Sequence, residues 1–118
     1  MALGKAGLTR AEVQSKEEVK WERELRNQCL AFCARHDLWV GTAADHKKST
    51  YTAGWLDLSI ILPGRTLYIE LKRKNGKLSP KQLEFIGALY ANHHLHYVID
   101  SYEEFLKIMH HFLGYSLK

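Results

Sequence analysis

Glu70 and Lys72 stand two residues apart in Ile69-Glu70-Leu71-Lys72, and Asp57 closes the tetrapeptide Gly54-Trp55-Leu56-Asp57 upstream. An acid and an amine two apart on a strand leave the same face, while Ile69 and Leu71 point the other way into apolar packing. Charged groups on an otherwise apolar strand must be paired, solvated or functional. If the segments holding Asp57 and Glu70 form a hairpin through Pro63-Gly64-Arg65, the two positions are equidistant from a turn centred between residues 63 and 64. Two carboxylates then face each other, which destabilises a sheet, and a hard divalent cation between their oxygens removes the conflict. Such a cation lowers the pKa of an attacking water and neutralises charge on a phosphate. A lysine beside it can hold that water or stabilise the pentacovalent phosphorus, and the Leu71 carbonyl is a further oxygen ligand. The chemistry this set suits is phosphodiester hydrolysis. With the cation in place, Asp57 and Glu70 are expected in their ionised forms and Lys72 as the ammonium. An Asp/Glu-x-Lys tripeptide arises by chance in roughly every second chain of this length, so the strand placement and the neighbouring motifs carry the weight.

The elements that must hold these residues can be read in order. Thr9 with Glu12 and Ser15 with Glu18 are capping-box patterns, and Glu22, Leu25, Cys29, Phe32 and Cys33 then recur at helical spacing, predicting a helix from about Ser15 to His36. Leu38 to Ala44 reads as a short strand, and Asp45 to Ala53 as a polar loop. Leu56 to Leu62 and Thr66 to Lys72 are the next strands, separated by the Pro63-Gly64 turn and followed by Asn75-Gly76. Ser79-Pro80-Lys81-Gln82 combines a cap residue, Pro at the first helical position and Gln three after the cap, opening a helix to about Asn92. His96 to Ile99 is a fourth strand, and Ser101 with Glu104 caps a last helix to about Phe112. The order αβββαβα predicts a single α/β domain with a mixed sheet flanked by helices. Residues 1–14 are read as a flexible start and 15–118 as the domain.

At 118 residues one core is the expectation, and 46 % hydrophobic with 25 % charged residues is ordinary for a globular chain. The apolar runs are too short to span a bilayer, and the N-terminus does not resemble a signal peptide, so an intracellular protein is expected. Cys29 and Cys33, four apart on one helical turn, read as small apolar packing residues. The histidines His93, His94, His96, His110 and His111 lack the ligand pattern of a zinc site and read as solvent-facing. A net charge of +4 favours a polyanionic partner. The candidates for phosphate contact flank the acidic cluster on both sides: His46, Lys47, Lys48 and Tyr51 before it, and Arg73, Lys74 and Lys77 after it. Lys81 is a further candidate. Trp55 either stacks on an unpaired base or packs in the core. The apolar stripe Phe105, Leu106, Ile108, Met109, Phe112, Leu113 of the last helix reads as core or a dimer surface.

Taken together, a Glu in the first helix, Gly54-Trp55-Leu56-Asp57, Ile69-Glu70-Leu71-Lys72 and Gly76-Lys77-Leu78-Ser79-Pro80-Lys81-Gln82 resemble the PD-(D/E)XK nuclease superfamily, and within it the VRR-NUC domain (virus-type replication-repair nuclease). The resemblance covers about residues 18–106. Leu56 stands where the family often has Pro, while Asp57 is retained. The resemblance implies a restriction-endonuclease-like fold, Mg²⁺ or Mn²⁺ as cofactor, and DNA, often branched, as substrate. Stand-alone members resemble Holliday-junction resolvases and act as homodimers. The function so implied is a metal-dependent DNA endonuclease of replication, repair or recombination, the alternative being a nucleic-acid-binding module of this fold without hydrolysis.

Two assignments follow from the resemblance and remain open in the sequence. The helix-1 glutamate of the site is Glu22 or Glu24. Glu22 lies on the apolar stripe and Glu24 roughly 200° around the helix, which favours Glu22 as the inward-facing group and a metal ligand; the alternative is an i,i+4 pair of Glu22 with Arg26. Gln82 is either a capping-box residue or, as the resemblance implies, part of the active site with Asp57, Glu70 and Lys72. One amide is not expected to fill both roles.

Overall fold

The computed structural model describes residues 10–43 and 53–114, with side chains from Lys16 onward. Its elements are α1 (Arg10–Arg35), β1 (Val40–Thr42), β2 (Leu58–Leu62), β3 (Arg65–Leu71), α2 (Pro80–Ala91), β4 (Leu95–Ile99) and α3 (Tyr102–Leu113). The order is the αβββαβα expected, and the chain forms a single α/β domain. Helix α1 starts at Arg10 instead of Ser15: Arg10-Ala11-Glu12-Val13-Gln14 contains no Gly or Pro to stop it, so the boundary drawn at residue 14 falls inside the helix. The loop expected over Asp45 to Ala53 lies outside the described residues except at Ala53.

The four strands lie in the order β1-β2-β3-β4. β1 with β2 and β2 with β3 are antiparallel, whereas β3 and β4 are parallel. The parallel step follows from α2, a helical crossover that returns the chain to the same end of the sheet. Leu58 pairs with Ile69 and Leu62 with Arg65, leaving Pro63 and Gly64 as a two-residue turn. Gly64 has φ 71°, a left-handed conformation glycine takes without steric cost, and Pro63 before it presets the turn. This is the register in which positions 57 and 70 fall opposite each other.

Alternation sorts the sheet into two faces. Leu58, Ile60, Leu62, Leu67, Ile69 and Leu71 point to one face, where Leu25, Cys29, Phe32 and Cys33 of α1 and Phe105 and Met109 of α3 close the main core. The stripe of α3 is thus core: Phe105 and Met109 are fully buried, and Leu106, Ile108, Phe112 and Leu113 pack against the same cluster. Burial pushes the Cys29 thiol up to about 12 and that of Cys33 to about 11, so both stay protonated and pack as apolar groups. Helix α2 covers part of the opposite face, reached by Tyr68 and Glu70 of β3. Its capping box is complete, with Ser79 and Gln82 each bonding the other's backbone N–H.

Candidate active site

At the end of β3, side-chain oxygens replace the backbone ladder. The Asp57 N–H donates to Glu70 Oε1 at 3.1 Å, and the Leu71 N–H donates to Asp57 Oδ2 at 2.9 Å. The two carboxylates are thereby fixed across the hairpin one residue past the last β2 pair, and both are buried, at 7 % and 2 % exposure. Lys72 leaves the strand next, its N–H bonded to Ile99 O at 2.9 Å. Since the Leu71 and Lys72 N–H groups point to opposite edges, the Leu71 carbonyl lies on the Asp57 edge.

These groups open into a cleft of about 300 Å³ lined by Glu22, Trp55, Asp57, Glu70, Lys72 and Gln82, with Ser79 and the small residues Ala43, Ala53 and Gly54. Gly54 is required by geometry: its φ is 88°, and a Cβ there would sit 2.5 Å from the Lys81 carbonyl carbon. The loop carrying Asp57 therefore packs directly against the N-terminus of α2, which a side chain at position 54 would push away. Gly76 acts similarly, since a Cβ there would lie 2.6 Å from Lys72 Cδ; its absence lets the Lys72 stem lie along the Asn75-Gly76 turn.

Gln82 makes the cap contact and a contact to the carboxylate pair at once. Its Oε1 accepts from the Ser79 N–H at 2.9 Å while its Nε2 donates to Glu70 Oε2 at 2.7 Å. An amide presents an acceptor and donors at separate atoms, so the cap consumes the oxygen and leaves the nitrogen for the site. The expectation that one amide could not serve twice is corrected.

The charge state of Glu70 follows from its surroundings. Burial, then the adjacent Asp57 carboxylate, push the Glu70 carboxyl up to about 8 from an ordinary 4.5, against a weaker opposing pull from Lys72. A proton on Glu70 relieves the repulsion across the pair.

On α1, Glu22 lines the cleft, whereas Glu24 is exposed and pairs with Lys20 at 4.0 Å. Glu22 Oε1 also lies 3.7 Å from Arg26 Nη1, the i,i+4 pair. Among the described residues, no three His, Cys, Asp or Glu side chains stand close enough to hold a metal ion. Glu22 is thus brought to the cleft and lies near Arg26 at once, so the structure contains both settings read for it from the sequence. Two buried carboxyl groups beside a main-chain carbonyl are a hard-oxygen donor set of the kind that suits a cation such as Mg²⁺.

The basic residues divide. Arg73 Nη1 lies 3.4 Å from Glu18 Oε1, and its guanidinium sits 5.2 Å from the centroid of the Trp21 ring. It clamps the loop after β3 to α1, and the sequence reading missed this because Glu18 and Trp21 are distant in the chain. Lys81 pairs with Glu84 at 3.2 Å on the surface. Lys74 and Lys77 are exposed beside the cleft end of β3. Lys47 and Lys48 lie outside the described residues, as do His46 and Tyr51. His93, His94, His110 and His111 are exposed, and His96 is half-buried.

Trp55 is packed on one side and open on the other. One face stacks on Phe85 of α2 at 4.8 Å and 22°, Tyr68 meets it at a steep angle, and 39 % of the residue stays exposed at the cleft.

No protein-family model matches the chain, and no curated protein matches it. A solved structure described as a "VRR_NUC domain protein" superposes with a TM-score of 0.64 at 22 % sequence identity, over 80 % of this chain and 88 % of that one. At that identity the likeness establishes the fold alone: the chain shares the architecture of that structure.

Proposed function

We propose that the chain is a divalent-cation-dependent endonuclease that hydrolyses DNA phosphodiester bonds. The observation that carries this reading is the buried Asp57–Glu70 pair, fixed by main-chain N–H groups and opening beside Lys72 into one cleft. Nothing in packing alone calls for two facing buried acids, and their mutual repulsion costs stability.

Asp57, Glu70 and the Leu71 carbonyl would hold Mg²⁺ or Mn²⁺, one or two ions, with Glu22 as a further carboxylate on the cleft wall. The bound cation supplies a water of lowered pKa and neutralises charge developing on the phosphate. Gln82 keeps Glu70 turned toward Asp57 through its 2.7 Å bond. Lys72 brings an ammonium to the cleft, where it stabilises negative charge on the pentacovalent phosphorus. Lys74 and Lys77, with Lys47 and Lys48, neutralise flanking phosphates without reading bases.

Branched DNA as substrate, a role in replication, repair or recombination, an intracellular location and a homodimer are parts of the same proposal. Paired sites would cut both strands of a symmetric junction. No helix of the described residues is long and apolar enough to cross a membrane. The test is incubation of supercoiled plasmid and of labelled linear, nicked, flap and four-way DNA with Mg²⁺ or Mn²⁺. Nicking that needs the cation and disappears in Asp57→Ala supports the reading. Binding without cation-dependent nicking replaces it with a binding module of the same fold.

A further inference from the structure

The geometry points to Trp55 as a stacking platform for an unpaired nucleobase next to the phosphate under attack. This inference rests on the nuclease reading and narrows its substrate to DNA with unpaired nucleotides at the cut.

Trp55 is the outermost ring of a built aromatic stack. Phe85 supports one indole face, nearly parallel at 22°, while Tyr68 stands at 72° to Trp55 and 88° to Phe85. Three rings held by the Gly54–Asp57 loop, α2 and β3 fix the plane of the indole, so little side-chain freedom remains to be lost on binding. A tryptophan that served only as core would be covered, yet 39 % of this one stays exposed, and it lines the same cleft as Asp57, Glu70 and Lys72. Trp39 is more exposed, at 82 %, but does not line the cleft.

Position matters as much as exposure. Trp55 and Asp57 are two residues apart, so their Cα atoms are separated by at most about 7 Å. A base flanking a phosphate at the carboxylate pair therefore falls within reach of the indole. Inside a duplex both faces of that base are covered by its neighbours; only an unpaired or splayed base offers a free π face. Stacking tolerates any base, because every base has such a face. Trp55 accordingly selects for local strand structure and not for sequence.

The experiment uses the full chain in EDTA, so that no cleavage occurs, with duplex DNA and with gapped or flapped DNA carrying 2-aminopurine at the unpaired position. Expected are tighter binding of the gapped or flapped form and quenching of 2-aminopurine emission by the wild type and by Trp39→Ala. Trp55→Leu, which keeps an apolar contact for Phe85 but has no π face, should lose about five- to a hundredfold affinity for the unpaired substrate. Its affinity for duplex should be unchanged, and Trp55→Phe should retain most of the preference. Equal losses on both DNA forms, or no loss, overturn the platform. If Trp55→Leu does not fold, the wild type decides: binding with unchanged 2-aminopurine emission overturns it. A wild type that binds duplex as tightly as gapped DNA removes the platform alone, whereas one that binds no DNA removes the nuclease reading with it.

Discussion

Glu70 concentrates the chemistry of the site in one side chain. Its carboxyl is raised to about 8, so the folded chain keeps a proton that the unfolded chain releases above about 4.5. The stability this contributes is complete at low pH and is lost as pH rises through about 8. In the absence of divalent cations the melting temperature should therefore fall between about pH 4.5 and pH 8, and Glu70→Gln should flatten that fall. The proposed cation would take the place of the proton, so Mg²⁺ or Mn²⁺ should raise the melting temperature more at the upper end of that range than at the lower. Calorimetry across the range checks all three; a cation effect independent of pH contradicts the site. Asp57→Asn and Glu70→Gln should abolish plasmid nicking and leave DNA affinity equal or greater, because negative charge near phosphate is removed.

At the level of elements, the N-terminus of α2 holds the cleft together from two directions. Gly54→Ala places a Cβ against the Lys81 backbone and forces an L-residue to φ 88°. It should cost about 1–3 kcal/mol in urea unfolding and lower turnover further than stability explains. Gln82 separates capping from catalysis. Gln82→Glu preserves an oxygen for the Ser79 N–H but sets a third carboxylate against Glu70, whereas Gln82→Ala loses both contacts. Gln82→Glu should consequently be near wild type at low pH and increasingly destabilised as pH rises, while Gln82→Ala should lose about 1 kcal/mol at every pH. Thermal melts of the two variants over the same pH range distinguish a cap from a site contact.

Over the whole molecule, the +4 charge matters through where it is free. Each phosphate-neutralising cation adds about 0.9 to the slope of log affinity against log salt on duplex DNA. Lys74→Ala with Lys77→Ala should lower that slope by up to about two. Arg73→Ala should leave it unchanged, because Arg73 is committed to Glu18 and Trp21; its loss should cost no more than about 1 kcal/mol of stability. Salt titrations of binding, followed by fluorescence anisotropy, read both outcomes.

The hairpin pairing of Asp57 with Glu70, the order of elements and the inward choice of Glu22 over Glu24 follow from the chain alone. Each depends on a local rule: a Pro-Gly turn fixes register, capping residues fix helix starts, and helical periodicity fixes a face. The early start of α1 shows the limit of such rules, since a run of helix formers extends a helix past a plausible cap. What tertiary structure decided involves partners far apart in sequence. Gln82 reaches Glu70 and Arg73 reaches Glu18 only once the sheet and helices have packed, and Phe85 lies under Trp55 only because α2 crosses that face. The raised Glu70 carboxyl belongs to the same class, because desolvation is a property of the packed interior and no single residue carries it.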